Sequence, residues 1–244
     1  MSGLGFVLVH GGGLDARSWE WLTPRLDGPV LAMDLPGRNA RPADLTRLSI
    51  SDFVESAIAD LDAFREADRV VLVGHSMAGL TIPGVAARRP DRIAHLVFLA
   101  SSIPREGGSM EDEMPSLIRL AARLRPRPRA GAQPKPMGPR LARRMLCNGM
   151  DAEQTAFLTS RLVPEAPRLS AEQVSRDDLP SDEVIPRTYV KLLRDRAVPP
   201  KTQDRMIDNL GVCQVRTLNS GHAVMAGRPA QLATLLNEIR SYAA

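Results

Sequence analysis

Ser76 is the residue of this sequence whose surroundings best suit nucleophilic chemistry. It stands in the middle of the segment GHSMAG, residues 74–79, between a predicted strand at 69–74 and a predicted helix that begins at Met77. At the apex of such a tight strand-to-helix turn, a serine hydroxyl projects above the sheet, and the N–H of the next residue points towards an incoming oxyanion. The Gly-x-Ser-x-Gly pattern ends here in Ala78, which is still small enough for strand and helix to approach closely. We interpret Ser76 as a nucleophile rather than as a loop serine or a helix N-cap.

A serine alcohol needs a general base, and the chain offers four histidines for that role. His10 ends the first predicted strand, His75 adjoins the serine and His95 enters another strand. His222 lies in a loop between the last predicted strand and the last predicted helix. Where a nucleophile follows a strand in this way, the base comes last in the chain, after the nucleophile and the acid. His222 is therefore the predicted base.

The imidazole of such a base requires a carboxylate that fixes its tautomer and stabilises its cation. Asp195 follows the predicted strand at 188–193. The next predicted strand, at 212–218, leads to the loop that carries His222. An aspartate after a strand is often only a turn former, so the assignment depends on its place in the chain order. Weaker candidates lie on the following helix or before the strand: Asp204, Asp208, Asp177, Asp178 and Asp182. We predict Asp195 as the acid.

A glycine cluster at 10–13, with the sequence HGGG, follows the first predicted strand. Such a loop supplies oxyanion-binding N–H groups in esterases, and we predict the N–H groups of Gly12 and Met77 as the donors. Glycine clusters also bind phosphates, but Gly-x-Gly-x-x-Gly and Gly-Lys-Ser/Thr patterns are absent, so no nucleotide site is predicted. We expect His10 to brace this loop and His75 to pack beside the serine. Clustered metal ligands are absent from the sequence, and no metal is predicted.

The elements that would position these residues alternate between strand and helix. Predicted strands are short and apolar, and they cover residues 5–10, 30–34, 69–74, 93–100, 188–193 and 212–218. Predicted helices cover residues 18–26, 50–67, 77–89, 200–210 and 229–242. Ser49 or Ser51 is expected to cap the second of them. This alternation indicates an α/β fold with a mostly parallel sheet of about six strands and helices on both faces.

Residues 105–186 interrupt that alternation, because no strand-like run appears there. Helical patches are predicted at 115–124, 139–148 and 151–162, around a proline- and arginine-rich piece at 125–129. The prolines exclude a single long helix. We predict one domain over residues 1–244, with a core of 1–104 and 187–244 and an inserted helical cap at 105–186.

Composition limits the class of protein further. The chain has 244 residues, of which 43% are hydrophobic and 25% charged, as in ordinary globular proteins. No apolar run reaches the roughly 20 residues that a membrane span needs, and no signal peptide is recognisable at the N-terminus. Cys147 and Cys213 lie in different kinds of segment, which favours free thiols in a reducing compartment over a disulfide. The expected location is therefore the cytoplasm.

The net charge of +4 is unevenly distributed. Nine basic residues and no acidic ones lie between Arg119 and Arg144, so the rest of the chain is net acidic. A solvated arginine-rich surface is the simpler interpretation, and an anionic partner is the alternative. A nucleic-acid partner is not expected, because no base-reading module with stacking aromatic residues is present.

These motifs resemble the α/β-hydrolase superfamily, and within it the plant methylesterase and hydroxynitrile lyase group with its bacterial relatives. The matching residues are Val9-His10-Gly11-Gly12, Asp34-Leu35-Pro36-Gly37, Val73-Gly74-His75-Ser76-Met77-Ala78-Gly79, Tyr189-Val190, Arg194-Asp195, Pro199, Gln203 and Gly221-His222. The resemblance implies the α/β-hydrolase fold, a triad of Ser76, Asp195 and His222, and oxyanion N–H groups from Gly12 and Met77. It also implies a mostly helical cap that shapes the acyl pocket.

The chain departs from the lyases of this group at one position. Those lyases have a lysine directly after the catalytic histidine, where this chain has Ala223, so cyanohydrin cleavage is not expected. We expect cofactor-free hydrolysis of a carboxylic ester or thioester through an acyl-enzyme. The expected substrate is a small-molecule ester or acyl compound, with a negative charge or a carrier-bound acyl chain as further options. The alternatives are a lyase, cyclase or cofactor-free tailoring enzyme of natural products, and a non-enzymatic ligand receptor. The oligomeric state stays open.

Overall fold

The computed structural model describes residues 3–39, 41–113 and 134–243, and six strands in these ranges form one sheet. The strands are β1 (Gly3–Val9), β2 (Val30–Met33), β3 (Ala67–His75), β4 (Ile93–Leu99), β5 (Arg187–Leu192) and β6 (Gln214–Leu218). Their order is β2-β1-β3-β4-β5-β6, and every neighbouring pair is parallel. The predicted α/β-hydrolase fold, with a sheet of about six strands, is confirmed.

Seven α-helices accompany the strands in the described ranges. They are α1 (Ile50–Ala63), α2 (Ile82–Arg88), α3 (Pro139–Met145), α4 (Ala152–Thr159), α5 (Pro200–Leu210), α6 (Val224–Gly227) and α7 (Pro229–Ala243). Ser49 caps α1 through a capping box with Asp52, in which each side chain accepts a hydrogen bond from the other residue's backbone N–H.

Two predicted helices differ from the structure, and proline explains both. The helix expected over 18–26 consists of two 3₁₀ turns, Ala16–Trp19 and Thr23–Arg25, because Pro24 has no N–H to continue a helix. The helix expected over 77–89 begins as a 3₁₀ turn, Ser76–Leu80, and continues as α2. Pro83 lies in the first turn of α2, where a missing N–H costs nothing.

The core consists of two apolar clusters, one on each face of the sheet. On β1, Phe6 and Leu8 belong to the cluster that includes α6 and α7, whereas Val7 and Val9 belong to the cluster that includes α1, α2 and α5. Successive side chains of a strand point to opposite faces, so this division follows from the continuous apolar run of β1. Helices therefore cover both faces.

Residues 105–186 lie between β4 and β5 along the chain. Their described part contains a 3₁₀ turn at Met110–Glu113, α3 and α4, and no strand. Leu146 and Leu158 are buried in the cluster that includes α7, so this segment packs on the core. The helix predicted at 115–124 and the proline- and arginine-rich piece at 125–129 lie outside the described residues.

None of the helices in the described ranges is both long and apolar enough to span a bilayer.

The carboxyl ends of the strands meet at one edge of the sheet, because all strands run in the same direction. In the registers, Val9 of β1 pairs with Gly74 of β3, and Leu192 of β5 pairs with Leu218 of β6. Residues that directly follow these strands are thereby brought to the same edge.

Candidate active site

Ser76 lies at the point where β3 turns into the following 3₁₀ turn. Its φ of +53° falls in the left-handed region that few residues other than glycine adopt. The Ser76 carbonyl accepts a hydrogen bond of 2.8 Å from the Ser102 N–H, which anchors the turn to the chain after β4. The side chain is half-buried. A sharp, anchored turn of this kind is the one that the sequence predicts for a nucleophile.

Close packing around this turn requires glycine at two positions. A Cβ on Gly74 would lie 2.8 Å from the Ile82 side chain, and one on Gly79 would lie 2.4 Å from the Ser102 carbonyl oxygen. Ala78, by contrast, is accommodated as a buried methyl group in the cluster that includes α2. The alanine in the Gly-x-Ser-x-Gly pattern therefore causes no conflict here.

His222 joins Ser76 to Asp195 through two hydrogen bonds. Its Nε2 lies 2.9 Å from Ser76 Oγ, and its Nδ1 lies 2.7 Å from Asp195 Oδ2. Because the carboxylate accepts the Nδ1 proton, the Nε2 lone pair is left to face the serine hydroxyl. The structure thus brings together the three residues that the sequence predicts as nucleophile, base and acid.

Asp195 is held by the loop that follows β5. Its Oδ1 accepts hydrogen bonds of 2.8 Å from both the Ala197 and the Val198 N–H, which leaves Oδ2 for His222. Of the other candidate acids, Asp204 pairs with Lys191 on the surface. Among the described residues, Asp195 is the one carboxylate bonded to the His222 ring.

His75 supports the base from the other side. Its Nε2 donates to the His222 carbonyl at 3.1 Å, and the two rings lie 4.6 Å apart between centroids. Burial, and secondarily the neighbouring His222, lowers the pKa of His75 well below its ordinary value, so it is neutral. The sequence predicts only that His75 packs beside the serine; the hydrogen bond to the His222 backbone is an addition from the structure.

The glycine loop (residues 11–13) packs against the turn that carries Ser76. A Cβ on Gly11 would lie 3.0 Å from Ser76 Cβ, and one on Gly12 would lie 3.2 Å from Met77 Cε. Gly12, one of the two predicted oxyanion donors, thus lies close to the side chain of the other, Met77. Met77 is the second residue of a 3₁₀ turn, where N–H groups have no acceptor within the helix.

His10 braces the glycine loop, as expected. Its Nε2 accepts a hydrogen bond from the Leu35 N–H at 3.3 Å, and its Nδ1 donates to the Gly11 carbonyl at 3.0 Å. Burial, and then the nearby Arg38, lowers the pKa of His10, which keeps the ring neutral. Arg38 is itself buried and pairs with Glu165. No local sequence pattern predicts this pair, because the two residues lie 127 positions apart in the chain.

Comparison with known proteins shows the family of the chain. Residues 6–235 match the alpha/beta hydrolase family. The chain belongs to this family.

Among the described residues, no group of three or more histidine, cysteine, aspartate or glutamate side chains could hold a metal ion.

Three similar proteins illustrate the range of this alpha/beta hydrolase's relatives. Methylesterase 17 of Arabidopsis thaliana is 30% identical, over 95% of this chain and 89% of that protein. Norfluorocurarine synthase 1 of a Strychnos species is 27% identical, over 96% of this chain and 94% of that protein. The structure of an extracellular alpha/beta-hydrolase from a Paenibacillus species, described as homologous to tobacco salicylic acid-binding protein 2, superposes with a TM-score of 0.82 at 22% identity, covering 96% of this chain and 98% of that one. The resemblance to the plant methylesterase group and its bacterial relatives is confirmed.

Proposed function

We propose that this alpha/beta hydrolase cleaves a carboxylic ester through an acyl-enzyme, with Ser76 as nucleophile, His222 as base and Asp195 as acid. The observation that carries the proposal is the unbroken path from Asp195 Oδ2 through the His222 ring to Ser76 Oγ, with bonds of 2.7 and 2.9 Å. The similarity to Methylesterase 17 supports ester hydrolysis as the type of reaction.

In the first step, Ser76 Oγ attacks the ester carbonyl while His222 Nε2 takes the hydroxyl proton. Asp195 stabilises the imidazolium that forms and holds the ring in the required tautomer. The oxyanion is stabilised by the N–H groups of Gly12 and Met77. Removing one such donor typically costs about 3 kcal/mol of transition-state stabilisation.

In the second step, His222 gives its proton to the leaving alcohol, and the acyl group stays on Ser76. A water molecule then attacks the acyl-enzyme with His222 again as base, which releases the acid and restores the serine. A thioester would follow the same route with a thiol as leaving group. No step calls for a cofactor.

We also propose that residues 105–186 form a cap of a single domain and shape the acyl pocket. Support comes from their place between β4 and β5 and from the contact of Val163 and Glu165 with the glycine loop. At the described end of the basic stretch, the side chains of Lys135, Arg140 and Arg144 are exposed. A small ester or acyl substrate follows from the proposed reaction, whereas a negative charge on it, a carrier-bound acyl chain and a cytoplasmic location stay predictions.

The decisive experiment compares the natural chain with Ser76→Ala on a generic aryl ester. We expect the variant to lose turnover while its circular dichroism spectrum and melting temperature stay close to those of the natural chain. A fluorophosphonate probe should label the natural chain and leave the variant unlabelled. Undiminished hydrolysis by Ser76→Ala would contradict the proposal.

A second candidate function is a lyase or synthase reaction in the same pocket, and the similarity to Norfluorocurarine synthase 1 favours keeping it. Ala223 takes the place of the lysine that the resemblance assigns to the lyases, which argues against cyanohydrin cleavage. The probe separates the two functions, because an activated serine nucleophile is needed for acyl transfer. Absence of labelling together with absence of ester turnover would favour the non-acyl reaction.

A further inference from the structure

The carboxylate of Glu165 lies directly beside the glycine loop. The Gly13 N–H donates to Glu165 Oε2 at 2.8 Å, and the Gly13 carbonyl accepts from the Val163 N–H at 2.9 Å. Both backbone polar groups of Gly13 are thus bonded to the stretch 163–165. Gly13 has a φ of +69°, a conformation that it adopts at low cost because it has no Cβ.

The carboxylate itself is held in place by the buried Arg38. The Arg38 guanidinium bonds Glu165 Oε2 and also donates to the Pro36 carbonyl at 2.9 Å and the Leu14 carbonyl at 3.4 Å. The Arg38 side chain has no solvent-exposed surface. Because core carbonyls hold Arg38, the position of the Glu165 carboxylate is tied to the core as well as to its own segment.

The glycine loop also packs against the turn that carries Ser76. A Cβ on Gly11 would approach His75 Nδ1 to 2.7 Å, so the loop lies too close to that turn for a side chain at position 11. A Cβ on Gly12 would lie 3.2 Å from Met77 Cε and 3.4 Å from Glu165 Oε2, so both side chains lie close to this glycine. The loop therefore contacts both the serine turn and the Glu165 carboxylate.

We propose that Glu165 is a positioning residue of the oxyanion hole, which holds the Gly12 N–H at its working distance through the bond to Gly13. The inference rests on the proposed function, since it assigns the Gly12 N–H to the oxyanion. Donors to an oxyanion act mainly in the transition state, so a misplaced loop lowers kcat more than it raises KM. A contact that merely held the cap closed over substrate would raise KM.

The test measures kcat and KM on an aryl ester for Glu165→Ala and Glu165→Gln. The alanine removes the acceptor of the Gly13 N–H, and we expect kcat to fall by about 10- to 100-fold with KM within about 3-fold. The glutamine amide oxygen can still accept from Gly13, so this variant should keep kcat within about 3-fold of the natural value.

Glu172 provides a matched control from the same segment. Its carboxylate accepts from the Ile50 N–H at 3.2 and 3.1 Å, which is also a contact with the backbone of the core, at the start of α1 rather than at the glycine loop. We expect Glu172→Ala to leave kcat and KM unchanged. An equal fall of kcat in Glu172→Ala and Glu165→Ala would overturn the proposal.

Glu165→Ala also leaves the buried Arg38 charge unpaired, which can destabilise the fold. A second pair of variants avoids this: Arg38→Met combined with Glu165→Gln, and Arg38→Met combined with Glu165→Met. Neither contains a buried unpaired charge, and they differ in whether residue 165 can accept the Gly13 hydrogen bond. We expect kcat of the variant with Glu165→Met to be at least about 10-fold lower than kcat of the variant with Glu165→Gln, both in the Arg38→Met background.

Amide hydrogen exchange of residues 11–13 gives a measurement that does not depend on turnover. Faster exchange in Glu165→Ala than in the natural chain supports the proposal, and equal exchange overturns it. Three other results would also overturn it: an unchanged kcat in Glu165→Ala, a change in that variant confined to a higher KM, or a fall of kcat in Glu165→Gln equal to that in Glu165→Ala. If the natural chain itself shows no Ser76-dependent hydrolysis, the proposed function fails, and the exchange data alone then decide whether Glu165 holds the loop.

Discussion

Ser76 adopts a left-handed backbone conformation, φ +53°, that a serine rarely has without a surrounding structure that imposes it. The bond from Ser102 to its carbonyl and the contacts of Gly74 and Gly79 supply that constraint. As a result, the Ser76 hydroxyl lies 2.9 Å from His222 Nε2 before any substrate binds. Such preorganisation lowers the cost of reaching the transition state.

Replacement of Asp195 by asparagine tests the role of the carboxylate. Asparagine Oδ1 can still accept from Ala197 and Val198, but its amide would donate to His222 Nδ1 and force the proton onto Nε2. We expect kcat on an aryl ester to fall by about 10³- to 10⁴-fold with little change in melting temperature. The surface variant Asp204→Asn, which alters a carboxylate paired with Lys191, should retain full activity.

The candidate triad could be predicted from the sequence because each member lies in the turn or loop that follows a strand of a parallel sheet. Ser76, Asp195 and His222 meet wherever the strand ends meet, and strands are read from local apolar runs. Glu165 could not be found in this way, since its hydrogen bond to Gly13 spans 152 positions of the chain. Glu165 follows the helix α4 in an irregular stretch and lies at no strand end, so the rule that locates the triad does not locate it.

At the scale of elements, the approach between β3 and the chain after β4 depends on Gly79. The sequence drew attention to Ala78, where the Gly-x-Ser-x-Gly pattern lacks its glycine. The structure shows the tight contact one residue later, 2.4 Å from an ideal Cβ on Gly79 to the Ser102 carbonyl oxygen. A backbone atom cannot swing away as a long side chain can, so the element pair would have to separate.

Gly79→Ala is therefore expected to destabilise the protein. Overpacking of this kind typically costs about 1–3 kcal/mol, and it should also displace the turn that carries Ser76. We expect a lower melting temperature together with lower kcat. Gly138→Ala is the matched control, because nothing lies within 4 Å of a Cβ at Gly138. A melting temperature unchanged in Gly79→Ala would contradict the packing argument.

At the scale of the whole molecule, three histidines are buried in neutral form: His10, His75 and His95. His95 lies on β4 with its Nε2 2.9 Å from Thr188 Oγ1, and burial lowers its pKa from 6.5 to about 4. The unfolded chain binds a proton at His95 below pH 6.5, whereas the folded chain does so only near pH 4. Folded stability is therefore lost as the pH falls through that interval.

This linkage predicts a fall in the free energy of unfolding on acidification. Each such histidine contributes up to about 1.4 kcal/mol per pH unit between its unfolded and folded pKa values. Urea unfolding at pH 7 and pH 5 measures the effect, and the loss should be smaller in His95→Gln. A free energy of unfolding that is equal at both pH values would show that these histidines are not buried as neutral groups.

The pairing of β4 with β5 has a consequence for building new enzymes from this scaffold. Leu96 pairs with Arg187, so the chain that leaves β4 after Leu99 re-enters the sheet only about 10 Å away along the strand direction. Replacing residues 105–186 by a graft of similar length would therefore change the loop-closure entropy little. Such a graft would still have to place a carboxylate where Glu165 lies, because that carboxylate pairs with the buried Arg38 and accepts the Gly13 N–H.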